Sequence, residues 1–269
     1  MTESQTPPTT DLPPAVAGKD RRRTRAVLRW AAVAAVFALT GTGTAYGISR
    51  ADRADLPGLA TRPDGRWEYP ALVKPPLPSG SPGPLAAENK AGTHYADLRA
   101  LLLPAPRNAT VDKALTGADG WLPVKDFLAQ YDAKGRGEMG QALTDRGLRH
   151  VASRGWTTPD GTRTRIDLLQ FATAEVAEGA EGVFVSYDVL VHPLRGTPAV
   201  KPEGFPEAAR VDEVWLAAYA EAKPYGKERT RVAYAVAGDT VAMVTQSRPG
   251  DAAAVPFWQT VTLQSELLA

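Results

Sequence analysis

An apolar run from Ala26 to Ile48, set behind the basic cluster Arg21-Arg22-Arg23-Thr24-Arg25, dictates how the rest of this chain can be arranged. A helix crossing hydrocarbon needs roughly 20 mostly apolar residues, and this run supplies them. Its one charge, Arg29, lies a turn from the start and can reach back to the headgroups. Trp30 and Tyr46 stand near the two ends, where amphipathic rings favour the interface. Lys19, Arg21, Arg22, Arg23, Arg25 and Arg29 crowd one side, and only Arg50 and Arg53 lie close to the other. The positive-inside rule then puts the N-terminus in the cytoplasm and everything after Ile48 outside, on a single-pass signal-anchor. The alternative is a cleaved signal peptide, with Trp30 to Leu39 as its apolar core and Gly43-Thr44-Ala45 as its cleavage site, leaving the domain secreted. The Pro-rich stretch beyond Ile48 argues for the retained anchor, since a secreted domain needs no stalk.

The run divides the chain. Residues 1–25 carry Pro7, Pro8, Pro13 and Pro14 but few large apolar groups, the composition of a disordered cytoplasmic tail. Residues 26–48 are the transmembrane anchor. Residues 49–90 read as a linker, because Pro57, Pro63, Pro70, Pro75, Pro76, Pro78, Pro82 and Pro84 oppose helix and favour extended chain. Within it, Trp67, Tyr69 and Leu72 suggest a short extended arm, 66–72, that docks on the domain. Residues 91–269 are one domain's worth of chain.

Net charge is +1 overall, but it is unevenly placed. Residues 1–90 hold 12 Lys and Arg against 8 Asp and Glu, and residues 91–269 hold 19 against 22, a formal −3. A domain at −3 lacks the basic footprint that nucleic acid demands. The chain has no cysteine, so it forms no disulfide and is no lipoprotein. Its histidines, His94, His150 and His192, lie far apart in sequence, and neither a metal site nor a cofactor is expected.

Periodicity predicts a helix over His94–Leu103 capped by Thr93, one from Val124 to Tyr131 behind Pro123, and one from Glu138 to Arg146 ended by Gly147. Strands over 148–157 and 162–171 flank the turn Thr158-Pro159-Asp160-Gly161. A helix capped by Thr173 is predicted over 174–188, then a loop over 192–206. Residues 211–223 fit either helix or strand; a strand over 214–221 suits the meander after it, with strands over 228–237 and 240–245 about the Gly238-Asp239 turn. A C-terminal helix begins at Pro256 and faces Phe257, Trp258, Val261, Leu267 and Leu268 inward. The fold class is therefore α+β, a two-layer sandwich of antiparallel sheet with helices on one face, and the order of elements suggests a duplicated ββα unit.

No nucleophile elbow, Ser-x-x-Lys, H-E-x-x-H, P-loop, EF-hand loop or G-x-G-x-x-G occurs, which leaves no catalytic residue to name. Asp145 with His150 and Asp188 with His192 are near in sequence, as structural surface pairs often are. The hairpin offers the one candidate ligand site. With its turn centred between Pro159 and Asp160, Trp156 faces Arg163 and Arg154 faces Arg165. Arginine over tryptophan is a cation–π arrangement, and arginine opposite arginine invites a bridging anion. Arg154, Trp156, Arg163 and Arg165 would then bind an anionic envelope component or an acidic partner surface; otherwise Asp167 balances Arg165 on a solvated face.

In layout the chain resembles uncharacterised single-pass membrane proteins of actinobacteria, of the streptomycete type. The residues that carry this are Arg21–Arg25 with the anchor, Gly65-Arg66-Trp67-Glu68-Tyr69-Pro70-Ala71-Leu72, Ala105-Pro106 with Asp119-Gly120-Trp121, and Phe257-Trp258-Gln259-Thr260-Val261. That group implies no activity. At greater distance, a domain of paired strands and helices behind a Pro-rich stalk is similar in architecture to the extracytoplasmic sensor domains of actinobacterial serine/threonine kinases, though the disulfides typical of those are absent. The sequence thus points to a membrane-anchored extracytoplasmic binding or interaction domain at the cell envelope, without catalysis. Its expected partners are membrane lipid through the anchor and an envelope polymer or membrane protein. An envelope enzyme such as a cell-wall hydrolase and a structural accessory subunit are the alternatives.

Overall fold

The computed structural model describes residues 27–31 and 64–269. The chain divides into two units, Met1–Pro63 and Asp64–Ala269. In the first, residues 27–31 are helical. The remainder of the expected tail and anchor, and linker residues 49–63, lie outside the described residues. No helix among the described residues is long and apolar enough to cross a membrane.

The second unit holds the sheet and its helices. In chain order its elements are β1 (Thr110–Val111), α1 (Val124–Leu128), α2 (Arg136–Asp145), β2 (His150–Thr157), β3 (Arg163–Gln170), α3 (Ala174–Phe184), β4 (Val185–Ser186), β5 (Val189–Leu190), β6 (Val200–Pro202), β7 (Trp215–Glu221), β8 (Glu228–Ala237), β9 (Thr240–Pro249) and α4 (Ala254–Leu268). Seven strands form one antiparallel sheet in the order β1-β2-β3-β9-β8-β7-β6, and β4 pairs with β5 apart from it. The fold is α+β, as the alternation of periods two and 3.6 predicts. The strand reading of 214–221 holds, and β7, β8 and β9 form the expected meander.

The sheet is covered on both sides. Helices α1, α2 and α3 bury Phe127, Met139, Leu143, Ala180 and Phe184 against Val232, Tyr234, Val241 and Met243. Helix α4 buries Phe257, Val261 and Leu268 on the opposite face, against Ala218, Ala233, Ala235 and Ala242. Alternation along β8 sorts large side chains to the first face and alanines to the second, so α4 can seat close. Coverage by helices on one face thus describes α1–α3 only. The two ββα stretches send their helices to opposite faces.

Two predicted helices change. The stretch 94–103 is irregular apart from a single 3-10 turn, Leu98–Ala100, capped by Asp97 rather than Thr93. Leu101, Leu102 and Leu103 are all buried, which one helix face cannot achieve. Their main chain bonds α4 instead: the Leu103 N–H donates to Gln264 Oε1 at 2.9 Å, and Gln264 Nε2 donates to the Leu101 carbonyl at 2.9 Å. Helix α3, with Thr173 accepting from the Val176 N–H at its start, stops at Phe184 rather than running to 188. Residues 185–190 turn back as the β4–β5 hairpin, with Tyr187 and Asp188 at φ 49° and 63°.

Residues 64–90 have no helix or strand, yet they belong to this unit. The arm at 66–72 docks on α4. Gln259 accepts from the Trp67 N–H at 2.8 Å and donates to the Trp67 carbonyl at 2.9 Å. Tyr69 shares a 2.9 Å hydrogen bond with Thr260 Oγ1, and the Arg107 N–H donates to the Glu68 carbonyl at 2.7 Å. Burial pushes the Tyr69 hydroxyl well above the usual phenol range, with its bond to Thr260 opposing only in part.

Candidate functional site

The hairpin register decides where the four candidate residues go. Trp156 pairs with Thr164, Gly155 with Arg165 and Arg154 with Ile166. Thr158 and Thr162 still pair, since the Thr158 N–H donates to the Thr162 carbonyl at 2.9 Å. The loop is therefore three residues, Pro159, Asp160 and Gly161, with Gly161 in the left-handed region at φ 83°. That adds one residue to the turn expected from the sequence. A one-residue slip between strands carries a whole set of side chains to the other face.

Arg154 and Trp156 accordingly stand on the α4 side, and Arg163 and Arg165 on the other. Trp156 is buried, its ring edge-on to Tyr69 at 6.3 Å. Arg154 is half-buried, donates to the Leu102 carbonyl at 2.7 Å, and has its pKa lowered by burial. The expected pairs, Trp156 with Arg163 and Arg154 with Arg165, do not form. The cation–π contact near this hairpin is instead Arg99 over Trp121 at 4.9 Å.

Arg163 and Arg165 remain together. Both line a cavity of about 340 Å³ where the sheet floor runs out beyond α1–α3, with Thr157, Thr245 and Ser247 beside them. Trp156 also borders it, but with its ring on the far face it can offer only main chain. Arg195 is a third guanidinium there, which sequence reasoning missed. It sits in the tight turn Leu194–Thr197, held by the Arg195 N–H donating to the Gln130 carbonyl at 2.8 Å, a long-range contact that no local pattern announces.

The three arginines differ in what holds them. Arg165 makes a two-pronged pair with Asp167, Nε to both carboxylate oxygens at 3.0 Å and Nη2 to Oδ1 at 2.9 Å. Asp167 is fully buried and also accepts from Gln130 Nε2 at 2.8 Å. Asp167 thus does balance Arg165. Arg163 is ion-paired to Glu228 at the surface. Arg195 is exposed and meets no carboxylate among the described residues. The lining also includes the Asp112 carboxylate, and with Arg163 and Arg165 already paired, Arg195 is the guanidinium of the three left open to an anion, with hydroxyls beside it.

A larger cavity, about 410 Å³, lies at the β6–β7–β8 end of the sheet. Its charges are mostly paired among themselves, Arg231 with Glu203 and Arg229 with Glu221 at 3.9 Å.

The one buried His–Asp contact among the described residues is His94 with Asp239, Nδ1 to Oδ1 at 2.6 Å. Its Nε2 is engaged by the Leu268 carbonyl at 2.8 Å, so neither ring nitrogen is free to serve as a base. The contact clamps the end of α4 to the β8–β9 turn. Among the described residues no three His, Asp or Glu side chains converge as a metal site.

No protein-family model matches the sequence, and neither does any curated protein. Among solved structures, the extracellular domain of PknH from Mycobacterium tuberculosis is similar to 59% of this chain and 77% of its own, at 9% identity and a TM-score of 0.32. A likeness that slight carries no argument about fold or function.

Proposed function

We propose that this is a membrane-anchored extracytoplasmic domain that binds an anionic group of the cell envelope in the cavity lined by Arg163, Arg165 and Arg195. The observation that carries the binding reading is the convergence of three guanidiniums and neighbouring hydroxyls on one cavity. Arg165 is held rigid by Asp167, while Arg163 and Arg195 are exposed and can close on a ligand. The membrane reading rests on the apolar run and its flanking charges.

The binding test uses Arg163→Ala with Arg195→Ala in the full chain, because Arg165 has a structural partner that its loss would strand. Isolated cell-wall material and soluble polyphosphate are the probes. The double variant should bind each about 10-fold or more weakly, and the parent's affinity should fall with added salt. Unchanged binding sinks the anion reading. Orientation has its own test, made clean by the absence of cysteine. Ser79 is exposed, and a single cysteine placed there should react with a membrane-impermeant maleimide on intact cells. Protection until lysis would overturn the topology.

A further inference from the structure

The docked arm lies across polar groups that it does not satisfy. Trp156, Thr164 and Gln246 oppose one another directly across β2, β3 and β9, on the α4 face. All three are buried, at 1%, 3% and 0% exposure. Trp156 Nε1, Thr164 Oγ1 and Gln246 Oε1 have no hydrogen-bond partner. Each such group carries a desolvation cost that native interiors rarely leave standing. Tyr69 packs edge-on against Trp156, and its hydroxyl bonds Thr260 Oγ1, the same oxygen that accepts from Gln246 Nε2 at 3.0 Å. The arm therefore passes over the row without giving Trp156 an acceptor or Gln246 Oε1 a donor.

The way the arm is held is also general. Gln259 takes both the N–H and the carbonyl of Trp67, and the Arg107 N–H takes the next carbonyl. Any extended residue offers those main-chain groups. Along the arm Trp67 and Tyr69 point in, while Arg66, Glu68 and Pro70 are exposed. Main-chain bonds for affinity and alternate side chains for specificity are how clefts read extended peptides. Residues 76–80 behind the arm run mostly exposed, so it can lift while remaining attached.

We infer that the cleft between α4 and residues 103–107 is a peptide-binding groove that the arm fills in cis, and that its other occupant is an extended segment of a partner protein carrying a carboxamide where Tyr69 lies. A carboxamide supplies a carbonyl for the Trp156 N–H and an NH₂ for Gln246 Oε1, and the Thr164 hydroxyl can serve either. The row's side chains stand on the face opposite those of Arg163 and Arg165, although Trp156 and Thr164 also border the arginine cavity.

The chain has no cysteine, so the arm can be locked cleanly. Glu68 and Arg107 are joined through main chain at 2.7 Å and by a 2.6 Å ion pair, within reach of a disulfide. Glu68→Cys with Arg107→Cys closes the groove when oxidised; Trp67→Ala with Tyr69→Ala frees it. The probes are fluorescent peptides of residues 64–72 bearing Gln or Ala at the Tyr69 position. The Gln peptide should bind the freed chain about 10-fold tighter than the Ala peptide, and Thr164→Val should shrink that ratio. The oxidised chain should bind neither. If the freed chain does not fold, the reduced and oxidised forms of the cysteine pair decide: binding by the reduced form alone supports the groove. No binding to an open form, equal binding of both peptides, or equal binding to locked and open forms overturns it.

Discussion

Arg165 shows how one side chain can hold a structural ion pair and still line a candidate binding cavity. Its partner Asp167 is fully buried, with Gln130 as its other contact. Removing the arginine leaves a carboxylate in the interior without its counter-charge, a change that typically costs about 3–5 kcal/mol. Arg165→Ala should lose most of that in urea unfolding, whereas Arg163→Ala, whose exposed pair with Glu228 contributes little, should fall within about 1 kcal/mol of the parent. Asp160 in the hairpin loop gives a pH signature. Burial pushes its carboxyl up, but hydrogen bonds from the Thr158 hydroxyl and from the Thr162 N–H and hydroxyl, with Arg248 nearby, outweigh it and hold the pKa below the usual carboxylate range. A depressed carboxylate adds stability above its unfolded pKa, near 3.9, and that contribution fades as pH falls through the lower folded value. Asp160→Asn should therefore be less stable than the parent at pH 7, by under about 1 kcal/mol because the side chain is partly exposed and screened, and the gap should narrow below about pH 4. The Asp167–Arg165 balance was legible because the two residues stand two apart on one strand. Arg195 was not, because only the fold brings residues 163 and 195 together.

At the scale of elements, α4 does more than fill the core. Two of its glutamines bond the main chain of passing coil, Gln259 at Trp67 and Gln264 at Leu101 and Leu103. Gln264 is 1% exposed, so bulk water does not reach these bonds. Gln264→Ala strands one buried N–H and one carbonyl, at about 1–3 kcal/mol each, and should lower stability by about 2–6 kcal/mol. Gln264→Glu keeps the acceptor for Leu103 but loses the donor for Leu101 and buries a charge, so it should fare no better; thermal unfolding of both variants checks this. These bonds also explain why 94–103 fails as a helix although its leucines have helical spacing. Local periodicity describes the segment alone, while the segment's hydrogen bonds go to a helix more than 160 residues later. The β2–β3 hairpin was legible as a hairpin, since Pro159 and Gly161 mark its loop. Its register was not, because two- and three-residue loops can share that composition and differ by one residue. That single residue split the expected arginine–tryptophan cluster across the sheet.

For the molecule as a whole, the clearest missed signal was the run Val232 to Ala237, in which Tyr234 is the only side chain with a polar atom. A strand apolar on both alternating faces is a strand covered on both sides. That run calls for a cover on each face; α1–α3 form one, and α4 with the arm forms the other. The arm then becomes part of the domain's stability. Tyr69 rests on Trp156 and bonds Thr260, and Trp67 is bonded at both main-chain groups. Burying one large aromatic is worth about 2–3 kcal/mol, and the hydrogen bonds add about 1 kcal/mol each before the entropy of ordering the arm is subtracted. A chain beginning at Asp64 should therefore unfold at the temperature of the full domain. One beginning at Val73 should be less stable by about 3–4 kcal/mol, a fall of about 10 °C for a domain of this size. It should also expose Trp156, so its tryptophan emission should shift to the red before any unfolding. Equal melting temperatures for the two chains would mean that the arm is a passenger on α4, and that the domain boundary belongs near residue 91 after all.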